Sequence, residues 1–135
     1  MKNFTLMILC AGFGSRMLNL TRSTPKPLLK YKNKVLLKNT IDFFINNGCD
    51  EILINTHYLH HKIKKYLDKN YKKYPIQIIY ERTILGTGGG VKNIFNHTKR
   101  NKICVVNSDI FWTKKNKSHI KYFLSNYQDV SHCKM

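Results

Sequence analysis

The stretch Ile8-Leu9-Cys10-Ala11-Gly12-Phe13-Gly14-Ser15-Arg16-Met17, resumed after a polar turn by Thr24-Pro25-Lys26-Pro27-Leu28, organises the chain. Its entry, Phe4 to Leu9, is almost continuously apolar, as expected of a central strand covered on both faces. The strand empties into a loop with two glycines, and a cation follows each half of that loop. Gly12 and Gly14 can take positive φ and let backbone N–H groups approach an anion that a Cβ would hold off. Arg16 adds a planar, permanently charged fork, and Lys26 stands between two prolines that stiffen its backbone. Taken singly, the glycines read as a tight turn and the cations as solvated surface charges. Their spacing around one loop points instead to a polyphosphate. The dinucleotide fingerprint G-x-G-x-x-G is not met, because Met17 stands where the third glycine belongs, which argues against an oxidoreductase.

The rest of the chain alternates strand and helix. Residues 31–34 form a polar turn, followed by a helix over Val35 to Asn47 with Leu37, Ile41 and Phe44 on one stripe and Gly48 just past its end. Ile52-Leu53-Ile54 marks a buried strand over Glu51 to Asn55. Leu59, Ile63, Tyr66 and Leu67 then recur at helical spacing, with Lys62, Lys64, Lys65 and Lys69 on the outer face. Pro75 ends the linker to a strand over Ile76 to Tyr80. Gly88-Gly89-Gly90 leads into a helix over Val91 to Phe95, Lys102 to Asn107 forms another strand, Ile120 to Tyr127 a helix, and Asp129-Val130 opens a fifth strand. This rhythm predicts an α/β fold with a parallel sheet and right-handed crossovers. Residues 1–135 read as a single domain without internal repeat, low-complexity tract or linker.

The apolar share of 42% supports a real core, and the formal charge of +17 comes mainly from lysine, with only four arginines. The lysines are scattered over helix exteriors, so we read them as solvated faces rather than a specific nucleic-acid or membrane surface, although they draw in anionic substrates. The four cysteines, Cys10, Cys49, Cys104 and Cys133, have no C-x-x-C spacing and read as small apolar residues of a reducing compartment. The six histidines show no metal spacing. Lys2 and the apolar run that follows are a poor leader, since the run is short and Leu9 is a poor cleavage position. No stretch is long enough to span a bilayer, and a cytoplasmic protein is expected.

In a parallel sheet the ligand lies beyond the carboxyl ends of the strands, where the loop after the first strand, residues 55–57, residues 81–90 and residues 107–109 all converge. A magnesium ligand can be sought among seven acidic residues. Asp42 and Asp68 fall within helices, Asp50 and Glu51 at the wrong end of the sheet, and Asp129 near the terminus. Glu81 and Asp109 remain, and Asp109 at a strand tip is the better candidate, with a turn or N-cap aspartate as its alternative. Three consecutive glycines, Gly88 to Gly90, let backbone approach the flat face of a base, or simply connect strand to helix.

The pattern L-x-A-G-x-G-x-R-M followed by P-K-P-L, then Leu85-Gly86-Thr87-Gly88-Gly89-Gly90 and Val106-Asn107-Ser108-Asp109, resembles the signature of the sugar-1-phosphate nucleotidyltransferases. The branch it resembles includes the uridylyltransferases of N-acetylmuramate 1-phosphate and the mannose- and heptose-phosphate guanylyltransferases. Three motifs occur in order at plausible spacing. The resemblance implies a Rossmann-like, glycosyltransferase-A-type, mostly parallel sheet with helices on both faces, here C-terminally truncated to the nucleotide-binding front part of the domain.

The resemblance also implies a reaction of a sugar 1-phosphate with a nucleoside triphosphate, UTP before GTP, giving an NDP-sugar and pyrophosphate. It assigns Gly12, Gly14, Ser15 and Arg16 to the β- and γ-phosphates, Lys26 to the α-phosphate, and Ala11 to the nucleotide-binding loop. Gly86, Thr87 and Gly88 lie near the base, and Asn107 beside nucleoside and sugar phosphate. Asp109 holds Mg²⁺, which bridges the attacking and receiving phosphates; Arg16, Lys26 and Asp109 form the catalytic set. Glu81 helps hold base or sugar, or is a surface residue. Departures stand at Leu18 and Asn19, where Arg and Pro are common, at Cys10 for Ala, and at Ser108 for Gly. The second half of the family's domain, with most sugar-binding residues, is missing. Two other readings therefore follow: an incompetent fragment that needs a homo-oligomeric partner or a complementing C-terminal fragment, and a basic nucleic-acid-binding module.

Overall fold

The computed structural model describes residues 4–126. Its centre is a four-stranded sheet made of β1 (Phe4–Cys10), β4 (Cys49–Thr56), β5 (Ile76–Tyr80) and β6 (Ile103–Asn107) in the order β5-β4-β1-β6. Every pairing in it is parallel. Between β1 and β4 lie a short antiparallel hairpin of β2 (Lys30–Tyr31) and β3 (Lys34–Val35) and helix α1 (Leu36–Ile45). Helices α2 (His60–Asn70), α3 (Gly86–Phe95) and α4 (Lys117–Ser125) complete the order.

Alternation along the strands divides the interior in two. Leu6, Ile8 and Cys10 of β1, with Ile52 and Ile54 of β4, face Leu37, Ile41 and Phe44 of α1, Ile63 and Leu67 of α2 and Leu124 of α4, forming the larger apolar cluster. Met7, Leu53 and Ile79 face the other way and meet Ile94 of α3. Among the described residues, three helices therefore cover one face and α3 alone covers the other. The chain walks outward from β1 to β4 to β5 over one face and returns to β6 over the opposite one, as a constant crossover hand requires. Val105, on the side that α3 leaves open, is 41% exposed on the terminal strand of the described sheet.

Register brings the functional ends level. Leu9 pairs with Asn55 on one side and Asn107 on the other, so the loops after β1, β4 and β6 leave the sheet at one height. At the opposite end Glu51 accepts hydrogen bonds from Thr5 and from Thr98 Oγ1 (2.7 Å), and Arg100 binds Asp50 at 2.7 Å and approaches Glu51 at 3.6 Å.

The expected strand Ile76–Tyr80 and the α1 stripe are found as read, with Gly48 after α1 at φ +97°. Three local expectations are corrected. The polar turn 31–34 is the tip of the β2–β3 hairpin, with Lys32 and Asn33 both at positive φ, the two-residue turn that suits a right-twisted ribbon. The glycine triplet does not precede a helix but lies inside α3, which starts at Gly86. The last helix spans Lys117–Ser125 rather than 120–127. The strand expected at Asp129-Val130, and Cys133, lie outside the described residues.

Candidate functional site

An open cleft of about 440 Å³ lies across the carboxyl ends of β1, β4 and β6. Residues 9–17 form one wall, Ile84, Gly86 and Thr87 the facing wall, and Lys26, Asn107 and Asp109 close one end. Of the residues expected at the site, Ala11, Gly12, Gly14, Ser15, Arg16, Lys26, Gly86, Thr87, Asn107 and Asp109 all line it. Gly88 does not: within α3 it is carried away from the wall. Glu81, expected to face base or sugar or the surface, is 3% exposed with both carboxylate oxygens bonded inside the protein.

The loop after β1 is shaped by Gly14. At φ +65° it sits in the left-handed region, and a Cβ there would stand 2.9 Å from Thr21 Cγ2 and 3.4 Å from Lys26 Cβ. Thr21 Oγ1 donates to the Gly14 carbonyl at 2.8 Å, and the Met17 N–H donates to the same oxygen at 2.9 Å, starting a 3₁₀ turn over Ser15–Leu20. Arg16, on this turn, is solvent-exposed and has no carboxylate partner among the described residues. Leu18, which departs from the basic residue common at that position, is 76% exposed at φ +42°.

Lys26 begins a second 3₁₀ turn, Lys26–Leu28, flanked by the buried Pro25 and Pro27. The turn closes by Leu28 N–H to Pro25 O at 2.8 Å and Leu29 N–H to Lys26 O at 3.1 Å. With its backbone fixed, the side chain projects to Asp109, and Lys26 Nζ lies 2.6 Å from Asp109 Oδ2. Both side chains remain about a third or more exposed, at 32% and 40%, so an incoming anion can reach them. Two cations and one carboxylate thus line the cleft, an excess of positive charge where phosphates would lie.

Beneath the loop Cys10 is buried, and burial pushes its thiol up to about 12 from 9.0, with a hydrogen bond to the Ser108 side chain partly opposing the rise. It is an inert packing residue, as its spacing suggested. Phe13 arches over the wall with its ring edge-on to His57 at 5.3 Å. His57 is a strand-end polar residue bonded to the Glu81 carbonyl at 2.7 Å.

Asn55 lines the cleft and is the residue that sequence reasoning left without a role. Its carboxamide oxygen accepts from the Cys10 N–H at 2.9 Å and its Nδ2 donates to Glu81 Oε1 at 2.8 Å. The available signal was a carboxamide directly after Ile52-Leu53-Ile54, a polar group in a position that register must bury.

The donor chemistry suits one hard cation of a particular kind. Among the described residues no three His, Cys, Asp or Glu side chains cluster into a protein-only metal cage. Mg²⁺ characteristically takes one or two carboxylates and completes its shell with phosphates and water, so a single reachable carboxylate such as Asp109 fits it.

Residues 5–133 match the nucleotidyl transferase family. The chain is 30% identical over 103 residues to D-glycero-α-D-manno-heptose 1-phosphate guanylyltransferase of Aneurinibacillus thermoaerophilus, covering 76% of this chain and 45% of that protein. It is 29% identical to the enzyme of the same name from Campylobacter jejuni, covering 78% and 48%. The chain therefore spans about half the length of these curated relatives. Among solved structures, HddC from Yersinia pseudotuberculosis superposes with a TM-score of 0.76 at 26% identity, over 90% of this chain and 55% of that one. The parallel sheet, the glycine loop after β1 and the match over nearly the whole length agree, and the chain belongs to the nucleotidyl transferase family.

Proposed function

We propose that this chain is the nucleotide-binding half of a sugar-1-phosphate nucleotidyltransferase. The reading is supported above all by Arg16, Lys26 and Asp109, which are up to 93 positions apart in the chain and line one cleft. In the reaction, an oxygen of the sugar 1-phosphate bonds to the α-phosphorus of a nucleoside triphosphate. The bond from that phosphorus to the bridging oxygen breaks, and pyrophosphate departs. No protein nucleophile is required, and positioning with charge neutralisation carries the catalysis.

In this assignment the backbone from Ala11 to Ser15 and the exposed guanidinium of Arg16 hold the β- and γ-phosphates. Lys26 orients the α-phosphate and offsets charge growing there, and Asn107 sits beside nucleoside and sugar phosphate. The wall of Gly86 and Thr87 borders the base. Asp109 would hold Mg²⁺, which when bound neutralises phosphate charge and lowers the barrier to displacement. Both relatives named above are guanylyltransferases, which supports ranking GTP above UTP, the reverse of the order expected from the sequence. Action in the cytoplasm belongs to the same proposal; among the described residues no helix is long and apolar enough to cross a membrane.

The test is pyrophosphate release from GTP and from UTP, with Mg²⁺ and mannose or heptose 1-phosphate. Lys26→Ala and Asp109→Asn should each lower turnover by about a hundredfold or more. Equal turnover in wild type and both variants would overturn the assignment. A second reading is favoured by the half-length match and the exposed Val105 on the terminal described strand: the chain binds nucleotide but needs a complementing segment or a second copy for turnover. Nucleotide binding without turnover, converted to turnover by adding the corresponding second half of a relative, would establish that version.

A further inference from the structure

We infer that Asn55 and Glu81 form a buried positioning pair that ties the two walls of the cleft together and sets the gap a nucleotide must span. The functional consequence rests on the nucleotide reading; the mechanical tie does not. Asn55 is 2% exposed and Glu81 3% exposed. Asn55 Oδ1 accepts from the Cys10 N–H at 2.9 Å, at the root of the glycine loop. Asn55 Nδ2 donates to Glu81 Oε1 at 2.8 Å, and Glu81 Oε2 accepts from the Leu85 N–H at 3.2 Å, directly before Gly86 and Thr87. One chain of three hydrogen bonds therefore runs from the phosphate-side wall to the facing wall, beneath the cleft floor.

The surroundings are shaped to admit it. Gly90 packs over the pair so closely that a Cβ would stand 2.7 Å from Asn55 Nδ2 and 3.2 Å from Glu81 Oε1. The Glu81 N–H donates to the Thr56 carbonyl at 2.8 Å, which holds the carboxylate beside β4. Glu81 does not line the cleft, and Asn55, at its floor, has both carboxamide atoms engaged within the protein, so the pair positions other groups. A buried chain in which each donor meets an acceptor has one polarity only, and this makes it testable by inversion.

In Asn55→Asp two carboxylates face each other, and in Glu81→Gln one donor is forced against another. Combining Asn55→Asp with Glu81→Gln exchanges the two groups. The carboxylate, now on β4, accepts from the Cys10 N–H and from the carboxamide NH₂ opposite it, and the carboxamide oxygen accepts from the Leu85 N–H. All three bonds and the net charge return. Amide exchange of the full chain is the first readout: each single variant should speed exchange at residues 10–16 and 84–87 together, and the double variant should restore both. Restoration of neither segment, or loosening of only one by each single variant, overturns the tie.

Binding of GTP and of inorganic tripolyphosphate is the second readout. Each single change should weaken GTP by about tenfold, the double variant should recover to within about twofold of wild type, and tripolyphosphate, which needs one wall and not the gap between two, should lose clearly less than GTP in each single variant. Equal loss of both ligands would show general damage and overturn the positioning role. Wild-type chain that binds neither ligand but shows coupled exchange would sink the nucleotide reading while leaving the tie intact.

Discussion

The two ends of the sheet carry the same kinds of side chain and use them in opposite ways. At the amino end Glu51 is held by several partners: Thr5, Thr98 and Arg100 all reach one oxygen of its carboxylate, Oε2, and Arg100 also holds Asp50. At the carboxyl end Asp109 meets Lys26 alone among the described cations, and Arg16 meets no carboxylate among the described residues. A charge shared among several protein partners holds strands together, whereas a charge with one partner or none is available to a ligand. The difference lies in capacity rather than composition.

Substitution at each end should therefore affect different measurements. The largest effect is expected for Asp109→Asn, which should reduce turnover by about a hundredfold or more yet change unfolding free energy by less than about 1 kcal/mol, since its ion pair is exposed. Rates and denaturation curves of the same samples check both halves. Next comes alkaline destabilisation. Burial raises the thiols of Cys10 and Cys49 to about 12 and that of Cys104 to about 11, from 9.0. A thiol with a raised folded pKa stays protonated while the unfolded chain ionises. Its contribution is thus complete below pH 9 and is lost as pH rises toward 11 to 12, by up to about 1.4 kcal/mol per thiol per pH unit. Urea unfolding between about pH 8 and 10.5 should show that fall, and Cys104→Ala should lessen it.

Glu51→Ala should lower stability by about 1–3 kcal/mol, leaving nucleotide affinity of the folded fraction unchanged; a loss of affinity without a loss of stability would erase the contrast. Arg16→Ala is the smallest, weakening triphosphate binding by about tenfold, or about 1.4 kcal/mol, with no shift in unfolding midpoint.

Much of this was legible in the chain itself. Continuous apolar runs located the parallel strands and helical spacings the stripes of α1 and α2, and placing Asp50 and Glu51 at the far end of the sheet followed from counting strand ends. The convergence of Arg16, Lys26 and Asp109 was legible because each sits just past a strand or in a proline-stiffened turn. The β2–β3 hairpin escaped because Tyr-Lys-Asn-Lys is polar on both faces, and only pairing of Lys30 with Val35 reveals it. Gly86 to Gly90 looked like a connection because glycine is a poor helix former, and tertiary packing of Gly90 on Asn55 overrides that preference. Asn55 and Glu81 could not be paired from the sequence, since β4–β5 register alone brings residues 26 positions apart into contact.

Helix α3 opens on Gly-Thr-Gly-Gly-Gly, so its first half rests on a sequence in which each interior glycine costs about 1 kcal/mol relative to alanine. Warming should make these turns fray before the sheet melts. The boundary that Gly86 and Thr87 give the cleft would then blur at temperatures where the apolar core is still intact, and affinity for nucleotide would fade ahead of the fold.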